Sequence, residues 1–418
     1  MDIKRLHKEF ENCPCGKVHT CPIDFIEIGK GAIDSVSRVA KEYNSILLIS
    51  DPNTYAVAGK RVEEILQGKI EKSLILEPQE KVVIPNEEKI EEIEKSITDK
   101  TDFIIGVGSG VINDLCKYTS FKAGLFYAIV ATAPSMDGYA SVGSALILEG
   151  MKITLNARPP KAIIGDGEIL KTAPIDMISA GYGDIIGKYS CLNDWKLSAF
   201  INGEHFCEKN YDLTMDCVKK VEPMAKALMS RDADTVADLF EALVLVGVAM
   251  SFTGSSRPAS GSEHHLSHYF EITGILDGKD YLPHGIDVAF STIETAKLRE
   301  RIISSQPMFT PFDKKAWEKD IREIYKTSAD GVIALQEKLG WYENVDTDKV
   351  LKNFDKIKEI LSEVPSSKRF VEMTEGVGLY YKDFLKTYGE EKIEKSLLYA
   401  KDLKDRYTVL WLYYHCFR

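Results

Sequence analysis

The stretch Asp102-Phe103-Ile104-Ile105-Gly106-Val107-Gly108-Ser109-Gly110-Val111-Ile112-Asn113-Asp114 decides the fold. An apolar run of strand length enters spaced glycines, and a helical pattern carries Val111 to Phe121 out of them. Strand, glycine turn and helix is the unit from which parallel sheets with crossover helices are built. Glycines let the backbone approach a pyrophosphate, and a helix start supplies N–H groups at the positive end of its peptide dipoles. The spacing departs from the strict G-x-G-x-x-G pattern. Two readings stand at this point, a phosphate cradle and a glycine-rich turn without a ligand.

The same alternation extends on both sides. Short strands are expected at 24–31, 45–50, 74–76, 126–130 and 161–165, with helices from about Ala32, over 54–67 and, acidic and amphipathic, over 86–98. Residues 144–156 read as a small hairpin. From about Thr172 onward helical periodicity is almost unbroken, over 173–180, 184–201, 210–229, 233–252, 260–272 and 286–304. The pattern predicts an α/β N-terminal domain with a doubly wound, mostly parallel sheet and an all-α C-terminal domain. The expected boundaries are 1–170, of which 1–23 is a cysteine-rich arm, and 171–418. Doubly wound sheets bind ligands at the carboxyl ends of their strands. Asp51, the glycine loop and Thr132-Ala133-Pro134-Ser135 all fall there, and the active site is expected in the cleft between the domains. Asp51 reads equally as an acceptor for a ribose diol and as the N-cap of the next helix, with Thr54 competing for that role.

Composition narrows the function classes. The 418 residues are 44% hydrophobic and 28% charged, with a net charge of −11, which argues against nucleic-acid binding. The N-terminus lacks an apolar signal core, and the most apolar run, Ala242 to Phe252, is too short to span a bilayer. A cytoplasmic protein with reduced cysteines is expected. Four soft donors, Cys13, Cys15, His19 and Cys21, could close a second, structural zinc site. The alternative is a reduced, metal-free arm.

Four of the eight histidines lie in Ser260-Gly261-Ser262-Glu263-His264-His265-Leu266-Ser267-His268 and Pro283-His284-Gly285. On a helix His264 and His268 share a face, whereas His265 points elsewhere. A solvated His-rich face and a metal site both fit that spacing. The small residues at 260–262 read as room for a ligand. Asp184, either an N-cap or a ligand, would complete a carboxylate and two-imidazole set (Asp184, His264, His284) with the open position of a catalytic metal. Asp137 reads as a substrate contact or as part of an Asp-Gly turn.

Taken together, GVGSGVIND, TAPSMDGYAS, GYGDIIGKYSCLNDWKL and SRPASGSEHHLSH…PHG resemble the iron-containing alcohol dehydrogenase and dehydroquinate synthase-like superfamily. The resemblance is densest to sn-glycerol-1-phosphate dehydrogenases and covers about Asp24 to Asp287. It implies NAD or NADP held by Asp51, Gly108, Ser109, Gly110, Val111, Ile112, Asn113, Asp114, Thr132, Ala133, Pro134, Ser135 and Ser141. It implies one divalent metal (zinc, nickel or iron) on Asp184, His264 and His284, with His268 and Asp137 at the substrate. The implied reaction is reversible reduction of dihydroxyacetone phosphate to sn-glycerol 1-phosphate. Lys188 and Arg257, which flank metal ligands in sequence, are nominated for the phosphate. Arg257 paired with a carboxylate and Lys188 in solvent are the alternatives. The rivals are a glycerol dehydrogenase-like enzyme, a dehydroquinate synthase-type lyase and a non-catalytic metal or nucleotide sensor. A homodimer or larger homo-oligomer is expected, with a small phosphorylated triose as substrate and no nucleic acid or membrane span.

Overall fold

The apolar runs become a six-stranded sheet in a computed structural model that describes residues 1–79, 82–148, 151–343 and 346–418. The strands are β1 (Phe25–Gly29), β2 (Ile46–Ser50), β3 (Ile70–Ile75), β4 (Phe103–Gly108), β5 (Tyr127–Ala131) and, after a separate hairpin of β6 (Gly143–Leu148) and β7 (Met151–Asn156), β8 (Ala162–Asp166). Their order is β1-β8-β5-β4-β2-β3, and every pairing in the sheet is parallel. The inner strands β2, β4, β5 and β8 are buried at every residue. Strands covered on both faces read as unbroken apolar runs, which is why ILLIS and FIIGVG do not alternate. The hairpin strands pair antiparallel as expected, while its tip at residues 149 and 150 lies outside the described residues.

Alternate residues divide the sheet between two layers. Ile46, Leu48, Phe103, Ile105, Val107, Val130 and Ile164 join Val36 and Val62 in one cluster. Burying each such side chain contributes roughly 1.5–3 kcal/mol. On the opposite face the helix Ala233–Thr253 comes so close that a Cβ on Gly165 would sit 2.4 Å from the Phe240 ring. Gly165→Ala would therefore separate helix from sheet. This helix begins before the apolar run at 242–252. Its 21 residues are long and apolar enough to cross a membrane by composition alone, and 72% of its most apolar window is buried.

The strands are all parallel, but the direction in which the chain moves across the sheet reverses between β2 and β4. From β2 the chain moves outward to β3, then returns to the other side of β2 for β4 and continues through β5 to β8. The loops after β2 and β4 therefore leave adjacent strands towards opposite sides. That point of reversal is where open α/β sheets hold ligands.

The chain divides into two compact units, Met1–Ile185 with Lys219–Ser256, and Ile186–Val218 with Arg257–Arg418. The first holds the sheet. The second is helical and includes Lys188–Asn202, Ser262–Asp277, His284–Ile303 and Val409–Cys416. The single helix expected over 184–201 is instead two, broken at Gly187. A buried ion pair organises the second unit. Asp194 Oδ1 accepts from Arg299 at 2.8 Å and from the Val409 N–H at 2.9 Å, and Oδ2 accepts from the Ser262 N–H at 2.7 Å. One carboxylate thus fixes the start of the histidine helix against two others. Removing it would strand the Arg299 charge, a loss of about 3–5 kcal/mol.

Candidate active site

In the first unit the glycine loop is a helix start left open. Ser109 occupies the N-cap position of Gly110–Lys122 with no side-chain cap hydrogen bond, so its own side chain leaves the first-turn N–H groups uncapped. A Cβ on Gly108 would lie 2.5 Å from Ile112 and one on Gly110 2.8 Å from Met136, so both positions exclude a side chain. Beyond the first turn the loop is structural. Asn113 accepts from the Tyr127 hydroxyl at 3.1 Å, and Asp114 accepts from the Ala145 N–H at 3.2 Å and lies 3.5 Å from Lys117. The side chains of Ile112, Asn113 and Asp114 thus serve the fold, and a ligand would meet backbone there.

Of the two readings of Asp51, the structure shows the N-cap. It caps the helix after β2, with Oδ1 accepting from the Asn53 and Thr54 N–H groups, while Thr54 Oγ1 returns an acceptor to the Asp51 N–H. Both cap bonds use Oδ1, so capping and presentation of Oδ2 to a ribose are compatible. In the loop after β5, Thr132, Ala133 and Pro134 are buried and Ser135 is half-buried. Ala133 accepts from the Tyr139 hydroxyl at 2.8 Å. Ser141 donates to the Gly138 carbonyl at 3.0 Å. Asp184 lies in the last turn of Ile175–Ile186 and is not an N-cap. Its Oδ2 accepts from the Asp137 N–H at 3.0 Å, so Asp137 positions this carboxylate through its backbone.

The second unit brings three imidazoles together. Ring centroids are 6.3 Å apart for His264 and His268, 5.2 Å for His264 and His284, and 5.5 Å for His268 and His284. The helix Ser262–Asp277 supplies the first two one turn apart, and Pro283 caps a second helix that begins at His284. His264 Nδ1 lies 2.7 Å from Glu263 Oε1, which also accepts from the Gly261 N–H. With Glu263 ionised that oxygen accepts both bonds, which places the hydrogen on Nδ1 and the lone pair on Nε2. His284 Nδ1 is 3.3 Å from the Ser267 hydroxyl, and His268 Nδ1 is 3.6 Å from Glu271. Burial, helped by Lys188 and His284, holds His264 well below the usual histidine range, and burial lowers His268 to about 3. Burial also pushes the Glu263 carboxyl up to about 7. Neutral imidazoles with bare nitrogens are metal-binding forms. The donor set and its held tautomer therefore fit a divalent metal. His265 is buried on the other face, and among the described residues neither of its ring nitrogens has a hydrogen-bond partner.

Four sequence readings change. The small residues at 260–262 do not make room for a ligand. A Cβ on Gly261 would meet Cys191 at 2.6 Å and Asp194 at 2.7 Å, so they permit close helix packing. Arg257 is not available to a phosphate, because its guanidinium makes two hydrogen bonds to Glu204, at 2.8 and 2.6 Å, and one to the Tyr407 carbonyl. Lys188 is fully buried rather than solvated and donates to the Ala259 carbonyl at 3.0 Å. Two cations escaped the sequence reading, Lys404 and Arg406. The field of Arg406 lowers His264, and that of Lys404 lowers His268. Arg406 donates to the Ser260 carbonyl at 3.2 Å. In the arm, Cys13, Cys15 and His19 converge, but Cys21 does not join them. Its thiol is turned to Ser251, and burial pushes it up to about 11.

Comparison with known proteins bears on this geometry. A family model described as iron-containing alcohol dehydrogenase matches residues 27–174. The chain is 33% identical over 297 residues to the glycerol-1-phosphate dehydrogenase [NAD(P)+] of Halalkalibacterium halodurans, covering 70% of this chain and 74% of that protein. To the protein of the same name from Bacillus licheniformis it is 30% identical over 414 residues, covering 98% and 93%. Among solved structures, maleylacetate reductase from Rhizobium sp. strain MTP-10005 superposes with a TM-score of 0.63 at 13% identity, covering 95% of this chain and 96% of that one, which shows a shared fold.

Proposed function

We infer the function from one premise: the chain belongs to the glycerol-1-phosphate dehydrogenase family. It is an NAD(P)-dependent oxidoreductase that interconverts dihydroxyacetone phosphate and sn-glycerol 1-phosphate. The observation that carries the site is the meeting of His264, His268 and His284 in one unit, with Lys188 and Arg406 donating to the Ala259 and Ser260 carbonyls just ahead of the His264 helix. A triose phosphate offers a ketone to be polarised and a dianion to be held, and these two sets of groups match those two demands.

His264 and His284 would hold the metal through ring nitrogens, that of His264 kept neutral by burial. Asp184, whose Oδ2 accepts from the Asp137 N–H, would supply the carboxylate. A divalent metal held there would supply the Lewis acidity that a ketone reduction needs. Glu263 holds His264 by Nδ1 and fixes its orientation. His268, beside the ligands but less buried and neutral, holds the substrate or relays to the C2 oxygen a proton that its ring takes up from solvent. Lys404 and Arg406 take the phosphate, with Lys188 adding positive field. The open helix start at Gly110 takes the dinucleotide pyrophosphate, and Asp51 Oδ2 accepts from a ribose hydroxyl and repels a 2′-phosphate. Zinc, nickel and iron all suit this donor set. We also place the enzyme in the cytoplasm as a homo-oligomer. Its eight cysteines are free of disulfides, which suits a reducing compartment.

The test is cofactor oxidation with dihydroxyacetone phosphate against dihydroxyacetone, after chelation and metal add-back. Activity should return with metal and favour the phosphorylated ketone. Equal turnover of both would favour the glycerol dehydrogenase-like reading, and turnover indifferent to chelation would remove the metal.

A further inference from the structure

The N-terminal arm carries donors that the reaction does not use. Its helix Ile3–Phe10 buries only Ile3 and Phe10, little apolar contact for a segment too short to be stable alone. After it, Cys13-Pro14-Cys15-Gly16 forms a turn closed by the Gly16 N–H on the Cys13 carbonyl at 3.0 Å. Proline suits the second position of such a turn, and Gly16 adopts φ +78°, which favours glycine. The donor atoms of Cys13, Cys15 and His19 lie within 4.8 Å of one another, with Cys15 Sγ 3.2 Å from His19 Nε2. Two zinc bonds of about 2.3 and 2.05 Å at a tetrahedral angle would separate sulfur and nitrogen by roughly 3.6 Å. The group is a few tenths of an ångström from that spacing.

The other ring nitrogen points to the same conclusion. His19 Nδ1 lies 2.9 Å from the Phe252 carbonyl oxygen. A carbonyl only accepts, so Nδ1 carries the hydrogen and Nε2 turns its lone pair to the sulfurs. Metal-binding histidines are held in this way by a backbone carbonyl. Phe10 and Phe252 pack around the ring, with centroids 5.2 and 5.8 Å away. A thiol-to-imidazole hydrogen bond alone would explain Cys15, but it would not bring the Cys13 sulfur to the same point.

We propose that Cys13, Cys15 and His19 bind a structural zinc ion that fastens the N-terminal arm to the C-terminal end of the helix Ala233–Thr253. Structural zinc takes four donors, and a donor outside this trio closes the fourth position. The ion stabilises the arm and takes no part in hydride transfer.

The test uses the full chain carrying His264→Ala and His284→Ala, which disables the imidazole site. That protein should retain a single zinc per chain, and adding Cys15→Ser with His19→Gln should remove it. Cobalt exchanged into the same background should show a sulfur-to-cobalt charge-transfer band, which the sulfur-free imidazole site cannot produce. In the otherwise native chain, Cys15→Ser should keep dihydroxyacetone phosphate reduction while proteolysis within residues 1–23 accelerates. Zinc retained in full after Cys15→Ser with His19→Gln, or no charge-transfer band in the background protein, would overturn the proposal. Should the arm variants fail to fold, the cobalt spectrum of the intact arm decides.

Discussion

His264 and His19 are held by the same device in different surroundings. Each gives Nδ1 to a fixed oxygen and turns Nε2 towards other donors. For His264 the oxygen belongs to the Glu263 carboxyl, two further imidazoles stand within 6.3 Å between ring centroids, and the nearby charges are cations. For His19 the oxygen is a neutral carbonyl, and the neighbours are two thiols and two phenyl rings. A carboxylate partner makes the imidazole a stronger ligand and adds charge beside the metal, while cations draw in an anion. A carbonyl partner among apolar rings orients and nothing more. Donor type alone does not separate a reactive site from a clamp, whereas the charge around the held nitrogen does.

The largest effect that can break this contrast comes from His264→Ala. Losing a ligand should remove several kcal/mol of transition-state stabilisation, on the order of a thousandfold in kcat/KM. Metal analysis should show the loss at this site only. Unchanged activity with full metal would end the assignment. Next comes Glu263→Gln, which keeps the shape and removes the charge. Metal affinity should fall roughly 10–100-fold, recoverable at high metal concentration. If added metal restores nothing, Glu263 acts on the fold and not on His264.

Lys404→Ala addresses the cations. A charge-assisted hydrogen bond contributes about 1.5–3 kcal/mol, so KM for dihydroxyacetone phosphate should rise roughly ten- to a hundredfold while dihydroxyacetone kinetics stay as they are. Equal losses on both ketones would remove Lys404 from the phosphate.

Sequence made these two cations invisible for a physical reason. Arg406 reaches Ser260 across 146 residues, a contact created by helix packing and by no local pattern. Arg257 was nominated because it precedes His264, yet the chain turns before the helix starts and sends its guanidinium to Glu204. Proximity along the chain is a poor guide at a helix N-terminus. The His264 and His268 pair was legible because helix periodicity fixes i and i+4 on one face whatever surrounds them. The buried sheet was legible because two-sided burial demands continuous apolar runs. Gly261 was misread because a small residue looks alike whether it admits a ligand or another helix, and here Cys191 and Asp194 fill the space.

The smallest effect separates the two duties of Asp51. Its Oδ1 caps a helix, and its second oxygen is the one assigned to the ribose. Asp51→Asn keeps a capping oxygen and loses the charge, so stability should hold while discrimination against NADPH weakens. Asp51→Ala loses both, and should add about 1 kcal/mol of destabilisation from the missing cap. Chemical denaturation reads the cap, and the ratio of kcat/KM for NADH and NADPH reads the charge. If the asparagine variant is destabilised as much as the alanine variant, the capping box does not tolerate an amide. If it is stable and its cofactor ratio is unmoved, Asp51 is a cap alone, and discrimination between the dinucleotides lies elsewhere at the reversal of the sheet.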